Sequence, residues 1–172
     1  SKSHARSLPI LQRFRYLVTL HLVRLLIDLG LGLLSIPGIR DSSILPTTKK
    51  RYSCHQSLAN RIYVPRSYKA RGSPLPAYIH IHGGGFAWTN PVVDDSFCSN
   101  FSNNNNILVV SLDYPKSPSY RFPTAVQALT DLVNAVLDDD SLPIDKSKVA
   151  IGGFSAGGNL ACAVSQDRKS VV

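Results

Sequence analysis

Methionine and glutamate are both absent from the sequence, so every acidic charge is an aspartate and the chain carries no start residue of its own. Both ends are therefore expected to be cut. Cysteine is scarce: Cys54, Cys98 and Cys162 are odd in number and far apart. That spacing excludes a disulfide framework and a zinc knuckle. The three read as small buried apolar residues in a reducing, intracellular compartment. No zinc-finger spacing and no RNP-type aromatic motif accompanies the net charge of +8, so no nucleic acid is expected as a partner. The triplet Asn100-Phe101-Ser102 matches the glycosylation pattern, which arises often by chance.

The positive charge is unevenly placed. Residues 1–71 hold 13 Lys and Arg against Asp28 and Asp41, whereas residues 72–172 hold 6 against 9 Asp. A basic front half suits an anionic membrane surface. Within it, residues 8–36 are rich in Leu, Val and Ile, and between Leu17 and Ile36 the only charges are Arg24 and Asp28. Those two stand at i and i+4 and can pair on one helix face. Three readings of this helix stay open. It can be a cap over a catalytic face, a helix lying in a membrane interface and flanked by Arg13, Arg15 and Arg40, or a transmembrane span. In a span, each mid-helix charge costs about 2.5–3.5 kcal/mol. No A-x-A-like cleavage site follows, which argues against a signal peptide. Pro37-Gly38 is predicted to end the helix.

The chain is long enough for one core. It divides into residues 1–50, an apolar helix with a polar, basic linker, and residues 51–172, half of an α/β domain. The linker is expected to run over residues 39–60. Short strands are predicted at 61–64, 77–82, 107–112 and 149–151, with a loop at 66–76 and a polar turn at 103–106. Residues 124–138 place Val126, Leu129, Leu132, Val133, Val136 and Leu137 on one helical face. Residues 138–140, three aspartates, oppose the dipole at its end and predict fraying. Residues 156–165 read as a further helix. Strands alternating with helices predict an α/β fold with a mainly parallel sheet.

Two motifs carry chemistry. Gly153-Phe154-Ser155-Ala156-Gly157 is a G-x-S-x-G turn placed between a strand and an Ala/Leu-rich helix. Such a sharp turn admits only small neighbours, lifts the serine hydroxyl to the top of the sheet and sets it over a helix N-terminus. His82-Gly83-Gly84-Gly85-Phe86 leaves the backbone bare, so its N–H groups can approach a ligand oxygen. A P-loop is excluded, because no G-K-[ST] follows the glycines. His82 reads as a structural residue holding the loop, and His80 as a satisfied core histidine.

These motifs, with residues 113–123 (DYPKSPSYRFP) between them, make the chain similar to the hormone-sensitive-lipase family of α/β hydrolases, a group of carboxylesterases and lipases. The resemblance spans about residues 60–165. It implies a partial α/β-hydrolase fold in which Ser155 is the nucleophile. Gly84, Gly85 and Ala156 would supply the oxyanion N–H groups, with His82, Gly83, Gly153 and Gly157 supporting the motifs. It implies a small or medium acyl ester as substrate, no cofactor and no metal. The N-terminal helix would form part of a cap, with membrane contact through residues 8–36. Two departures stand out: Phe154 replaces the family's Asp before the serine, and Ser119 replaces an acidic residue after the proline. A third is larger. The family places its acid and histidine well after the serine; here only Asp167 follows, and His4, His21, His55, His80 and His82 all precede it. The expectation is therefore a fragment of a serine ester hydrolase. Its rivals are a non-catalytic pseudo-hydrolase, a hydrolase of amides or lactones, and a membrane-anchored form.

Overall fold

A computed structural model describes residues 9–33, 36, 39, 41–69 and 72–168, with the side chains of residues 167 and 168 excluded. Pro37, Gly38, Arg40, His4 and the Asp167 side chain lie outside the described residues.

The elements run α1 (Ile10–Leu33), β1 (Thr48–Lys50), β2 (Asn60–Tyr63), β3 (Leu75–Ile81), α2 (Asp95–Asn105), β4 (Leu108–Leu112), α3 (Thr124–Leu137), β5 (Ile144–Gly153) and α4 (Ala156–Arg168). They form one five-stranded sheet in the order β1-β2-β4-β3-β5. The β1–β2 and β2–β4 pairs are antiparallel, while β4–β3 and β3–β5 are parallel. The parallel part is the part that carries both motifs: β3 feeds the triple glycine and β5 feeds the serine turn.

Alternation along the strands decides the layers. Leu75, Ala77, Ile79 and Ile81 of β3 and Leu108, Val110 and Leu112 of β4 point to one face. There they meet Leu129, Leu132, Val133 and Val136 of α3 and Leu160, Ala161 and Val164 of α4. The predicted apolar stripe of α3 is thus the buried one, with Val126 and Leu137 at its margins. On the opposite face, Val109 packs with Cys98 of α2, flanked by Tyr78, Phe97 and Phe101.

Several predicted details change. The linker expected over 39–60 contains β1, whose Lys49 pairs with Arg61 in register. Residues 103–106 are not an independent turn; they are the last turn and cap of α2, where Asn106 adopts left-handed φ 52° and ψ 47° and donates its N–H to Ser102 O. Among the cysteines only Cys98 is buried, and Cys54 and Cys162 are exposed. The aspartates after α3 are not simply repelled: Asp139 pairs with Lys50 and accepts from the Tyr52 hydroxyl at 3.0 Å. Burial opposes ionisation there, but hydrogen bonds from Lys50, Ser141 and Tyr52 outweigh it and lower the Asp139 pKa to about 2.

A buried ion pair ties β2 to α2. The Arg61 guanidinium donates to both Asp95 oxygens at 2.6 Å, and the Tyr63 hydroxyl donates to the same carboxylate at 2.5 Å. This bidentate geometry satisfies both partners away from water.

Helix α1 stands apart. It is 24 residues long, and none of them is buried. Leu20, Arg24, Ile27, Asp28 and Leu31 are half-buried and fall on one stripe, while its other faces are exposed. The stripe meets the body near the glycine loop, where Asn90 Nδ2 donates to Asp28 Oδ1 at 3.2 Å. Arg24 Nε lies 3.6 Å from Asp28 Oδ2, the i,i+4 pair expected from the sequence.

Candidate active site

Ser155 sits where β5 ends and α4 begins, and its backbone is left-handed at φ 52°. A non-glycine residue there costs on the order of 1–3 kcal/mol and persists only where surroundings enforce it. The surroundings are tight. A Cβ on Gly153 or on Gly157 would collide with the Ile81 carbonyl oxygen, and on Gly157 it would also lie 2.5 Å from the His82 carbonyl oxygen. The turn is closed by Gly157 N–H to Phe154 O at 2.8 Å and anchored to β3 by Phe154 N–H to Ile81 O at 3.3 Å. Ser155 itself is exposed, as the motif requires.

The glycine loop lies against this turn. A Cβ at Gly83 would be 3.5 Å from the Ser155 Cβ and 3.1 Å from the Phe154 carbonyl oxygen, so the two motifs, 73 residues apart in sequence, touch. Gly84 and Gly85 take φ 119° and 57°, a path that glycine follows freely. Trp88 N–H and Ala87 N–H bond to Gly84 O at 2.8 and 3.1 Å, closing the loop on itself. Among the described residues, the N–H groups of Gly84, Gly85 and Ala156 donate to no protein acceptor. Free, fixed N–H groups beside an exposed serine can stabilise negative charge on a substrate oxygen.

His82 supports the loop from beneath. Its Nδ1 lies 2.7 Å from Gly83 O and its Nε2 3.2 Å from Asp113 Oδ1, and the ring stacks on Tyr114 at 4.4 Å. Asp113 also pairs with Lys116 and accepts from Tyr114 N–H at 2.9 Å. Burial pushes the Asp113 carboxyl up, but its bonds from His82 and Lys116 win and hold it below the usual range. Ser117 N–H donates to Phe86 O at 2.9 Å and so fastens the 113–123 segment to the glycine loop. Sequence reasoning missed Asp113 and Lys116 as partners of His82; the residues stood in a quoted motif, but nothing in their spacing points to His82.

His80 is fully buried, as a core histidine should be, with Nε2 2.8 Å from Asp94 Oδ2, but it is satisfied at that nitrogen alone: among the described residues its Nδ1 has no hydrogen-bond partner. Phe154 packs edge-on against the rings of His80 and Phe97 at 5.2 and 4.8 Å. Among the described histidines, none is bonded to the Ser155 hydroxyl; His55 lies by Asp131 and His21 lines the groove under α1.

Beside the loop is an apolar cavity of about 240 Å³ lined by Phe86, Tyr120, Phe122, Ala125, Asn159 and Leu160. A wider cavity of about 460 Å³ separates α1 from the 117–121 segment and is lined by Leu17, His21, Pro118 and Arg121.

Residues 78–171 match the model of a family described as having the alpha/beta hydrolase fold. The chain belongs to the α/β-hydrolase family. Its relatives include an arylesterase of Saccharolobus solfataricus, 38% identical over 109 residues that cover 61% of this chain and 33% of the relative. The mouse (Mus musculus) neutral cholesterol ester hydrolase 1 is 33% identical over 106 residues, covering 55% and 26%. Among solved structures, the esterase of Pyrobaculum calidifontis superposes with a TM-score of 0.71 at 28% identity, covering 88% of this chain and 48% of that one. The metagenomic carboxylesterase EstE1 superposes at 0.70 and 29%, covering 88% and 50%. This hydrolase chain thus spans about a third of the length of the arylesterase and about half that of the solved esterases.

Proposed function

We propose that the chain is the nucleophile-bearing part of a serine carboxylester hydrolase acting on small or medium acyl esters. The observation that carries this reading is the left-handed Ser155, exposed and pressed against a glycine loop whose Gly84 and Gly85 N–H groups meet no protein acceptor among the described residues. In this mechanism Ser155 Oγ attacks the ester carbonyl and its proton passes to a base. The carbonyl oxygen becomes an oxyanion held by the N–H groups of Gly84, Gly85 and Ala156. Collapse expels the alcohol, which takes up that proton, and leaves an acyl-serine; water then repeats the sequence and releases the acid. The apolar cavity at Phe86 and Phe122, smaller than the roughly 300 Å³ at which drug-sized sites begin, suits a short acyl or alcohol group. The relatives' names, an arylesterase and an esterase among them, support the ester class, while one, an arylacetamide deacetylase, is named for an amide.

No described histidine reaches Ser155, so the base is to come from residues outside those described. The 172-residue chain alone is then expected to hydrolyse p-nitrophenyl esters negligibly. Robust turnover lost in Ser155→Ala would overturn the assignment of the base to another segment. In a catalytically complete form, labelling by a fluorophosphonate probe that survives Ser155→Ala would overturn the nucleophile itself. The same observation favours a second reading, a non-catalytic pseudo-hydrolase, in which no form of the protein reacts with the probe.

We also propose that α1 contacts an anionic membrane surface while its half-buried stripe caps the site. At about 1.5 Å per residue its 24 residues reach about 36 Å, beyond the roughly 30 Å of a hydrocarbon core. Its apolar faces are open, and Arg13 and Arg15 lie in its first two turns. Salt-sensitive binding to vesicles containing phosphatidylserine is expected; equal binding to neutral vesicles at high salt removes the electrostatic part.

A further inference from the structure

We propose that the cleft between α1 and the 117–121 segment is an anion site, and that it takes the carboxylate or phosphate end of an ester whose other end reacts at Ser155. The substrate half of this rests on reading Ser155 as the nucleophile of an ester hydrolase. The cleft holds about 460 Å³ and is walled by Leu17 and His21 of α1 and by Ser117, Pro118, Ser119 and Arg121. Its ionisable groups are His21 and Arg121. Among the described residues, no acid lines it, and none lines the neighbouring apolar cavity of about 240 Å³. The acids on the two flanking elements are taken. Asp28 of α1 pairs with Arg24 and accepts from Asn90, and Asp113 is shared by His82 and Lys116.

Arg121 is the centre of the site. Its backbone carbonyl accepts from Thr124 N–H, but among the described residues its guanidinium has no partner. Arg61 and Arg66, by contrast, are spent on Asp95 and on the Ser43 carbonyl. A free guanidinium is planar and always charged, and its fork fits a carboxylate or a phosphate through two N–H bonds. Position 119 removes the internal competitor. It lines the same cleft, and an acid there, as in the family the chain resembles, would set a negative charge beside Arg121. Ser119 offers a hydroxyl that can donate instead, and the His21 imidazole can donate a ring N–H. The Ser117 hydroxyl does not count, since it donates to Tyr120 O at 3.2 Å.

The cleft shares a wall with the place of reaction. Ser117 and Arg121 also line the apolar cavity, where they meet Phe86 of the glycine loop and Asn159, one turn beyond Ser155 on α4. Ser117 N–H donates to Phe86 O at 2.9 Å, so that wall is fastened to the loop. A short apolar body lodged in the smaller cavity therefore leaves its far end at Arg121. The order is ester carbonyl at Ser155, apolar spacer, acid at Arg121. Half-esters of short dicarboxylic acids and short esters bearing a phosphate have that pattern; a neutral ester lacks its last element.

Titration of the ¹⁵N-labelled 172-residue chain with monomethyl glutarate and with dimethyl glutarate, which differ by one negative charge, tests the proposal by NMR. The monoester is expected to shift the Arg121 Nε–H and the Ser119 and Arg121 amides, and the diester to leave them. Inorganic phosphate should displace the monoester from the same signals. Arg121→Gln and Ser119→Glu, the second of which only adds a charge, should each weaken monoester binding about tenfold or more, the loss of one charge-assisted bond. Equal shifts from both esters, no Arg121 shift with either, or unchanged affinity in either variant would overturn the anion site. Vesicles containing phosphatidylserine separate the two sources of the anion. If they move the Arg121 signals while neither soluble anion does, the cleft belongs to lipid headgroups and the substrate half is overturned. No arm requires turnover, so a protein whose Ser155 never reacts with a fluorophosphonate would refute the hydrolase reading and leave the anion site decided. In a catalytic form, Arg121→Gln should raise KM for the monoester about tenfold and leave KM for the diester unchanged. An equal rise for both would refute the specificity.

Discussion

Helix α1 and strand β4 are both built from Leu and Val, yet β4 is buried at all five positions and α1 at none of its 24. The difference lies in what each can offer its neighbours. A central strand has two ladder edges and two faces, and β4 uses all four, with β2 and β3 beside it and helices above and below. Helix α1 offers a single half-buried stripe to the body and leaves the rest of its apolar surface open. Apolar content thus marks a segment that leaves water; only topology says whether it leaves for the core or for another surface.

The comparison can be broken most severely inside the body. Asp95→Ala removes one side of a buried bidentate pair and leaves Arg61 without its partner, so a loss of about 3–5 kcal/mol is expected in urea unfolding. A loss under about 1 kcal/mol would mean that water reaches the pair. Next come matched truncations: Leu132→Ala in α3 should cost about 2–5 kcal/mol, while Leu26→Ala in α1 should stay within about 0.5 kcal/mol. Equal costs would place α1 in the core.

Acid sharpens the same contrast. Asp139 is depressed to about 2 in the fold against an ordinary 3.8, so its contribution is present above about pH 4 and is lost as pH falls toward 2. The contribution is on the order of 2 kcal/mol, and Asp139→Asn should flatten that part of the acid-stability curve. The smallest effect is at α1: replacing Arg13 and Arg15 with Gln should weaken binding to anionic vesicles by about 1 kcal/mol per charge and leave the unfolding midpoint unmoved.

What the sequence made legible follows from how local each signal is. The runs feeding β3, β4 and β5 are apolar and bounded by glycine or polar turns, and the serine turn and triple glycine stand at their ends, so fold class and candidate site were both readable. Helix α2 was not. Its sequence, DSFCSNFSNNN, holds serine and asparagine, which favour caps and turns over helix interiors, and tertiary contacts through Cys98 and the aromatic rings override that preference. Strand β1 was hidden because Thr48, Lys49 and Lys50 are polar; register with β2 and the Lys50–Asp139 pair create it. The Asp113–Lys116–His82 cluster joins residues about thirty apart and has no local signature at all.

The two motifs hang from strands of unequal permanence. Strand β3, which carries the glycine loop, is paired on both edges, by β4 and by β5. Strand β5, which carries Ser155, is paired among the described residues only with β3, and much of it is exposed. Amide hydrogen exchange should therefore run as a gradient across the site, slow beneath the loop and fast on the outer edge of the strand that presents the serine. Anything that docks along that outer edge would slow the exchange of β5 first and, by steadying the ladder, set how long the serine stays raised against the loop.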